Sequence, residues 1–144
     1  YLAELGMEMP ELRKELQDRM RNEVKVPAFA NVKNPIDLTA EVRPYYLLRC
    51  TELTIQDPDI DAVVLGLWSW PLPPADETLR ELERIQKESG KPLLMCYYAS
   101  RRGAELVQSL TSLPVYGTPE EISQVMASLC QYADFRRQTG TFPA

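Results

Sequence analysis

The chain has 144 residues, of which 44% are apolar and 26% charged, and it carries a formal net charge of −5. This length and composition suit one soluble globular domain with its own core. The acidic balance argues against nucleic-acid binding, which needs clustered Lys and Arg. No apolar run approaches the roughly 20 residues of a membrane span, and no signal-peptide pattern opens the chain. We therefore expect a cytoplasmic protein without a membrane anchor.

The sequence has no histidine and three widely separated cysteines, Cys50, Cys96 and Cys130. The lack of His excludes Ser-His and Cys-His nucleophilic pairs, His metal ligands and His general bases on this chain. Because the cysteines lack CxxC spacing, neither a disulfide framework nor a metal site is predicted. Any chemistry must use carboxylates, backbone amides, Lys or Arg, or a residue from another chain.

The first half of the chain predicts helices and short strands in alternation. Residues 1–5 resemble the last turn of a helix that ends at Gly6, and residues 7–9 form at best a very short strand. A helix is expected to begin at Pro10, with Leu12, Leu16 and Met20 on its apolar face. A short strand over 36–38 and a helix over 44–56 follow. Residues 62–68 are nearly all apolar, which makes them the best candidate for a central strand.

The second half continues the alternation. A helix is predicted over 75–89, a strand over 93–98, a helix over 101–110 capped by Ser100, and a short strand over 114–116. Thr118 with Pro119 and Glu121 forms a capping-box pattern for a last helix. Residues 138–144 look like a frayed tail.

Strands separated by single helices require crossover connections, so the sheet should be parallel. We expect an α/β, doubly wound, flavodoxin-like sheet of about four or five strands with helices on both faces. Residues 1–144 are assigned to a single domain. Because the chain opens without Met and without a helix start, we expect a fragment of a longer chain that lacks its first strand.

Ligands of open parallel sheets bind outside the carboxyl ends of the strands. Three loops qualify: residues 38–41, 68–72 and 99–102. The first and third open helices, whose N-terminal amides favour anions. These loops suggest a pocket for a carboxylate, a phosphate or a phosphorylated group.

Each candidate residue has two interpretations. Asp37 either orients a ligand or satisfies nearby backbone amides in a turn. Trp68 and Trp70 either wall a pocket or form an interface with another domain. Arg101 and Arg102 either clamp an anion or lie solvated on the surface.

Several segments, taken in order, resemble the flavodoxin-like ligase domain of NDP-forming acyl-CoA synthetases, relatives of succinyl-CoA synthetase. They are Val32 to Thr39 (VKNPIDLT), Asp57 to Leu65 (DPDIDAVVL), Gly90 to Pro92 (GKP), Leu113 to Tyr116 (LPVY) and Thr118 to Glu121 (TPEE). Nearly the whole chain is covered by this ordered resemblance.

The resemblance implies a division of labour. Family members form acyl-CoA from an acid, CoA and ATP or GTP with Mg, through a phosphohistidine in a neighbouring domain. A CoA-binding Rossmann domain and an ATP-grasp domain, in the same chain or another subunit, complete the enzyme. This chain alone should bind no cofactor, hold no catalytic residue and be inactive. The family also has a Gly-rich strand and turn before the helix that ends at Gly6.

The resemblance also assigns residues. Those expected to face the phosphoryl group are Asn34, Asp37, Leu38, Thr39 and Ala40. The positions of the loops at the strand ends, and not the resemblance, place at a pocket or interface Trp68, Ser69, Trp70, Arg101 and Arg102.

Two departures from the family pattern leave an alternative open. Relatives carry Gly where this chain has Thr39-Ala40-Glu41, and succinate-type enzymes have glycines where it has Ser69-Trp70-Pro71. Gly permits the backbone approach that an anion cradle often needs. The alternative is a non-catalytic regulatory or assembly module of a synthetase-like protein, such as a protein acyltransferase.

Overall fold

A computed structural model describes residues 1–39, 43–68 and 76–140. A short 3-10 helix, Ala3–Leu5, opens the chain and is followed by five α-helices and three β-strands among the described residues. The helices are α1 (Lys14–Asn22), α2 (Pro44–Ile55), α3 (Asp76–Ser89), α4 (Arg101–Leu110) and α5 (Pro119–Thr139), and the strands are β1 (Val63–Trp68), β2 (Leu93–Tyr98) and β3 (Val115–Tyr116).

The strands form one parallel sheet in the order β1-β2-β3. This confirms the predicted α/β class, but the described residues contain three strands rather than four or five. Segment 36–38 contributes only one antiparallel bridge, between Asn31 and Asp37, and residues 7–9 adopt no strand. Short apolar alternation was therefore not sufficient to bring either segment into the sheet.

The central strand of the described sheet is β2, not β1 as predicted. Five of the six β2 residues are buried, whereas only Leu65 is fully buried in β1. β1 pairs with β2 from Val63↔Leu93 to Trp68↔Tyr98, so its other edge has no strand partner among the described residues. The apolar run of β1 indicated a strand correctly, but it did not indicate how many neighbours the strand has.

Helices cover both faces of the sheet, as predicted. On one face, alternate β2 residues pack against α2, α3 and α4 through a cluster that includes Ile55, Leu79, Leu82 and Val107. On the other face, Leu94 and Cys96 pack against Ile122 and Met126 of α5. Burial on both faces explains why β2 is apolar throughout.

A third cluster joins α1 to the segment that precedes the sheet. Leu12, Leu16 and Met20 are buried in it, so the predicted apolar stripe is confirmed. The predicted start of the helix at Pro10 is wrong, because α1 begins at Lys14. The Gln17 side chain donates a hydrogen bond of 2.6 Å to the backbone oxygen of Leu12, which holds the preceding segment outside the helix.

Local caps were predicted well. The Ser100 hydroxyl accepts a hydrogen bond from the Gly103 N–H at 3.2 Å and caps α4. Thr118 accepts one from the Glu121 N–H, also at 3.2 Å, while the Glu121 carboxylate accepts one from the Gly117 N–H. The Thr118 cap is the one expected from the sequence, but the Glu121 carboxylate bonds to the N–H of the residue before the N-cap, not to that of the N-cap itself as in a standard capping box. None of the described helices is long and apolar enough to cross a membrane.

Candidate functional site

The segment that leads to α2 is a tight loop held by its own polar groups. Asn31 and Asp37 exchange two backbone hydrogen bonds, both of 2.9 Å. The Asn31 side chain donates to the backbone oxygen of Pro35 and accepts from the backbone N–H of Lys33. The peptide bond between Asn34 and Pro35 is cis. The loop therefore has a defined shape before any ligand is considered.

Asn34 ties this loop to the start of the chain. Its side-chain amide donates a hydrogen bond of 3.0 Å to the backbone oxygen of Pro10. This hydrogen bond gives the side-chain amide of Asn34 a structural role, because it holds the loop against the start of the chain. The sequence predicted a phosphoryl-facing role for Asn34 and contained no signal for the contact, which joins residues 24 positions apart.

Asp37 and Thr39 form the turn at the end of the loop. Oδ1 of Asp37 accepts a hydrogen bond of 2.9 Å from the backbone N–H of Thr39, and both residues are exposed. Thr39 has a φ of 64°, in the left-handed region that favours Gly. Thr39 thus adopts a positive-φ geometry within the Thr39-Ala40-Glu41 segment, where the resemblance leads us to expect one or more Gly. Leu38 between them is half-buried and packs against the cluster of α1. The predicted Ala40 and its neighbour Glu41 lie outside the described residues.

Helix α2 begins at Pro44, five residues after Thr39. Pro44 occupies its first turn, and Arg43 is its N-cap residue without a side-chain capping bond. The Arg43 side chain is exposed and has no ion-pair partner among residues 1–39, 43–68 and 76–140. A cation next to a helix N-terminus adds to the positive end of the helix dipole. Arg43 was not a predicted site residue, although its place immediately before a Pro at a helix start was a usable signal.

The ends of β1 and β2 present two aromatic side chains side by side. Trp68 and Tyr98 are register partners, their ring centroids lie 5.8 Å apart, and Trp68 is 74% exposed. Burial, and then the neighbouring Cys96, raise the pKa of the Tyr98 hydroxyl. Tyr98 was not a predicted site residue, because its approach to Trp68 depends on strand register. Ser69 and Trp70 lie outside the described residues.

The two arginines at the start of α4 lie on the surface. Arg101 forms an ion pair of 2.9 Å with Glu105 one turn later, and Arg102 is exposed. A surface groove is lined by residues 34–39 of the loop and by Trp68 at the end of β1. Neither arginine lines this groove. The structure thus brings the first predicted loop and Trp68 to one groove and leaves the arginine pair apart from it.

A buried carboxylate supports the turn after α2. Asp57 accepts hydrogen bonds of 2.8 and 3.2 Å from Arg13, and its side chain also accepts one from the backbone N–H of Asp59. Burial acts to raise the pKa of Asp57, but these hydrogen bonds outweigh it and hold the pKa below its ordinary value. Lys91 donates to the backbone oxygens of Asp57 and Ile60, both at 2.6 Å. We interpret this cluster as structural.

No group of three or more His, Cys, Asp or Glu residues with metal-binding geometry occurs within the described ranges. Cys50 and Cys96 are buried and Cys130 is exposed, all as free thiols.

Comparison with known protein sequences found one similar curated protein. No family model matches the sequence. The alpha subunit of acetate-CoA ligase (ADP-forming) II from Pyrococcus furiosus is 27% identical in an alignment of 139 positions that covers 89% of this chain and 29% of that protein. This chain therefore spans less than a third of that relative.

Solved structures agree with the fold. A protein of Pyrococcus horikoshii is 25% identical with a TM-score of 0.77, over 92% of this chain and 32% of that one. A dinucleotide forming acetyl-coenzyme A synthetase 1 of Candidatus Korarchaeum cryptofilum is 21% identical with a TM-score of 0.76, over 99% of this chain and 32% of that one. At that identity, the second likeness supports the fold alone. Together, the ordered segments, the sequence likeness and the fold show that this chain is similar to the CoA-ligase domains of NDP-forming acyl-CoA synthetases.

Proposed function

We propose that this domain works inside an NDP-forming acyl-CoA synthetase and helps to stabilise a phosphohistidine that a neighbouring domain supplies. The complete enzyme would convert an acid, CoA and a nucleoside triphosphate to acyl-CoA. This chain contains no histidine, so the phosphorylated residue must come from elsewhere. Its own contribution would be fixed hydrogen-bond donors and positive charge directed at the phosphoryl group.

The observation that carries the proposal is the Asp37–Thr39 turn placed before the N-terminus of α2. A helix N-terminus favours anions because its first amides lack partners within the helix. Asp37 stabilises the turn by accepting the Thr39 N–H, so we assign it a positioning role rather than contact with the phosphoryl group. Its own carboxylate would repel an anion, which supports the same assignment.

Arg43 carries the charge appropriate for a phosphoryl group, whereas the other cation of this segment, Lys33, forms an ion pair of 3.0 Å with Glu11. A guanidinium can donate two parallel hydrogen bonds to phosphate oxygens. Arg43 lies at the α2 N-cap and is exposed, so its guanidinium is accessible to a group docked from a neighbouring domain. We add it to the phosphoryl-facing set of Asn34, Leu38, Thr39 and Ala40.

The proposed partners follow from the family. A CoA-binding Rossmann domain, a phosphohistidine domain and an ATP-grasp domain would complete the enzyme, and CoA and ATP or GTP with Mg would bind in that assembly. The isolated chain should therefore make no acyl-CoA from acid, CoA and ATP. Turnover by the isolated chain would contradict this division of labour.

The test of the site uses the complete assembly with substitutions at Asp37 and Arg43. Asp37→Ala should lower the rate of phosphohistidine turnover about tenfold, the equivalent of roughly 1.4 kcal/mol. Asp37→Asn should restore most of the rate, because its side-chain oxygen still accepts the Thr39 N–H. Arg43→Ala should also slow turnover, and Arg43→Lys should recover only part of it, because Lys lacks the bidentate geometry.

Asp18→Ala is the matched control, because Asp18 is a surface carboxylate whose recorded contact is an ion pair with Lys14 in α1. Thermal unfolding of each variant separates a loss of folding from a loss of turnover. If Asp37→Ala and Arg43→Ala both turn over like the unsubstituted enzyme, the loop does not serve the phosphohistidine.

The second candidate is the non-catalytic regulatory or assembly module. It is favoured by the Thr at position 39, because the left-handed backbone there costs more conformational free energy for a β-branched residue than for Gly. The coding sequence on either side of the domain discriminates between the two. A His-containing domain and an ATP-grasp partner favour the enzyme, whereas an acetyltransferase domain favours regulation.

A further inference from the structure

Phe29 lies at the tip of a turn, and 65% of its surface is exposed. The turn over residues 27–30 is closed by the Ala30 N–H, which donates to the Pro27 oxygen at 3.1 Å. Val26 and Ala30, at the two ends of the turn, are buried in the cluster of α1. The chain therefore buries a small Ala and leaves a large aromatic side chain in solvent, which is the reverse of what burial of apolar area favours.

Arg21, in the last turn of α1, holds this turn in place. Its half-buried guanidinium donates to three backbone oxygens, those of Val26 (at 3.2 Å), Pro27 and Ala30. Arg21 forms no ion pair within residues 1–39, 43–68 and 76–140, so its donors serve the turn rather than a carboxylate. Because a planar guanidinium presents its donors in a fixed geometry, one side chain holds both ends of the turn.

The fixed turn distinguishes Phe29 from an ordinary exposed residue. A single apolar side chain at the surface is common and needs no explanation by itself. Phe29, however, stands on backbone that is tied down at both ends before any partner arrives. A preorganised aromatic ring enters a pocket at a low entropy cost, and aromatic residues are enriched at protein–protein interfaces. The turn is therefore suited to anchor another polypeptide.

The turn also lies near the candidate site. Asn31 and Asp37 pair through two backbone hydrogen bonds of 2.9 Å. Two residues of chain span at most about 7 Å and such a pair has Cα atoms about 5.5 Å apart, so the Cα of Phe29 lies within about 13 Å of that of Asp37. A standard interface covers about 800 Å² on each partner, a patch of roughly 16 Å in radius. A domain that docks on the Asp37–Thr39 turn is therefore large enough to contact Phe29.

We propose that Phe29 is the apolar anchor for the neighbouring domain that supplies the phosphohistidine. That domain carries an apolar pocket, which receives the Phe29 ring when the phosphorylated side chain reaches the Asp37–Thr39 turn. The identity of this partner rests on the proposed function. The inference adds the surface that holds the partner, whereas Asp37 and Arg43 concern the phosphoryl group itself.

Photo-crosslinking in the complete assembly tests the contact directly. Benzoylphenylalanine, which bonds covalently to a nearby C–H group under ultraviolet light, replaces Phe29. In a second assembly it replaces Phe135 of α5, an aromatic residue that is 59% exposed and serves as the control. Peptide mass spectrometry then identifies the domain that each position reaches.

Crosslinking from position 29 should reach the domain that carries the phosphohistidine, with at least ten times the yield obtained from position 135. Crosslinks from position 29 that reach only another domain or a second copy of this chain overturn the proposal, and so does the absence of a crosslink. Crosslinking reports docking and requires no turnover. Its outcome is therefore separate from that of the Asp37 and Arg43 variants, which test the phosphoryl role.

Substitutions measure what the contact contributes to the reaction. Phe29→Ala should lower the rate of phosphohistidine turnover about tenfold, and Phe29→Leu should recover most of the rate because Leu also fills an apolar pocket. Phe135→Ala is the matched control and should turn over like the unsubstituted enzyme. Thermal unfolding of each variant separates a loss of folding from a loss of docking. Unchanged turnover in Phe29→Ala would contradict the anchoring role.

Arg21→Met examines the fixed turn beneath Phe29. Met keeps much of the length of the side chain but donates no hydrogen bond to the turn, so the ring remains while its support is lost. The crosslinking yield from position 29 should fall at least threefold in the folded variant. Lys14→Met is the control, because Lys14 is a surface cation of α1 whose recorded contact is an ion pair with Asp18. An undiminished yield in Arg21→Met would show that the fixed turn does not position the anchor.

Discussion

Asp37 and Thr39 are joined by a hydrogen bond of 2.9 Å in which the Thr39 backbone N–H donates to Oδ1 of the Asp37 carboxylate. This bond closes a turn in which Thr39 has a φ of 64°. The left-handed conformation costs a residue with a Cβ about 1–2 kcal/mol. The site loop therefore holds a β-branched residue in a conformation that Gly adopts more easily.

Thr39→Gly should raise the free energy of unfolding by about 0.5–1 kcal/mol. Gly removes the conformational cost, although its greater freedom in the unfolded chain offsets part of the gain. Urea denaturation of the isolated domain measures the change. Thr39→Ala is the matched control, since Ala keeps a Cβ and should bring no comparable gain. A Gly variant that is no more stable than the Ala variant would mean that the turn relaxes in solution.

Features set by residues close together in the sequence were predicted correctly. Features that require contacts between distant residues were missed. The caps at Ser100 and Thr118 were found because donor and acceptor lie three residues apart. The central position of β2 was missed because an apolar run indicates burial without counting partner strands. The Trp68–Tyr98 pair was missed because it requires the register of two strands.

The same distinction applies to the candidate site. The loop over 34–39 and the start of α2 at Pro44 were located from Pro, Asn and Asp signals in the sequence. The contact of Asn34 with Pro10, however, joins residues that only the folded chain brings together. The left-handed backbone of Thr39 also had no local signal, because Thr ordinarily disfavours it.

Asp57→Asn should lower the free energy of unfolding at pH 7 by about 1–3 kcal/mol, the range expected when a hydrogen-bonded charged group loses its partner. Asn cannot form the charged contact with Arg13, although it can still accept the Asp59 N–H. Asp18→Asn is the control for loss of one surface carboxylate and should change stability by less than about 0.5 kcal/mol.

The effect of Asp57→Asn should depend on pH in a defined direction. Because the pKa of Asp57 is lowered in the folded state, its contribution is complete above the ordinary Asp pKa of about 3.9 and is lost as the pH falls through the lower folded pKa. Denaturation midpoints of the two proteins should therefore differ at pH 5–7 and converge below about pH 4. A difference that stays constant down to pH 2 would show that the charge of Asp57 is not what stabilises the turn.

Thr118→Ala should destabilise the domain by about 1 kcal/mol, because it removes the oxygen that accepts the Glu121 N–H at the start of α5. Thr118→Ser keeps the hydroxyl and serves as the control. Chemical denaturation measures both. Equal losses in the Ala and Ser variants would assign the effect to the lost methyl group rather than to the cap.

The three thiols should separate into one fast and two slow classes during labelling of the folded domain at pH 7. Cys130 is exposed on α5, whereas Cys50 and Cys96 are 2% and 4% exposed. Burial raises the pKa of Cys50 to about 11, and burial also raises that of Cys96, so both lack the reactive thiolate as well as access. Labelling of Cys50 should stay slow when the pH is raised from 7 to 9, because its pKa of about 11 keeps the thiol protonated.

Cys130→Ser is the variant that tests this assignment. It should remove the fast phase and leave the two slow thiols, which should react only at the rate at which the domain opens. Urea at a concentration above the unfolding midpoint should make Cys50 and Cys96 both react rapidly. If a fast phase persists in folded Cys130→Ser, then Cys50 or Cys96 is reachable from solvent. The packing of α2 or α5 against the sheet would then be looser than the structure indicates.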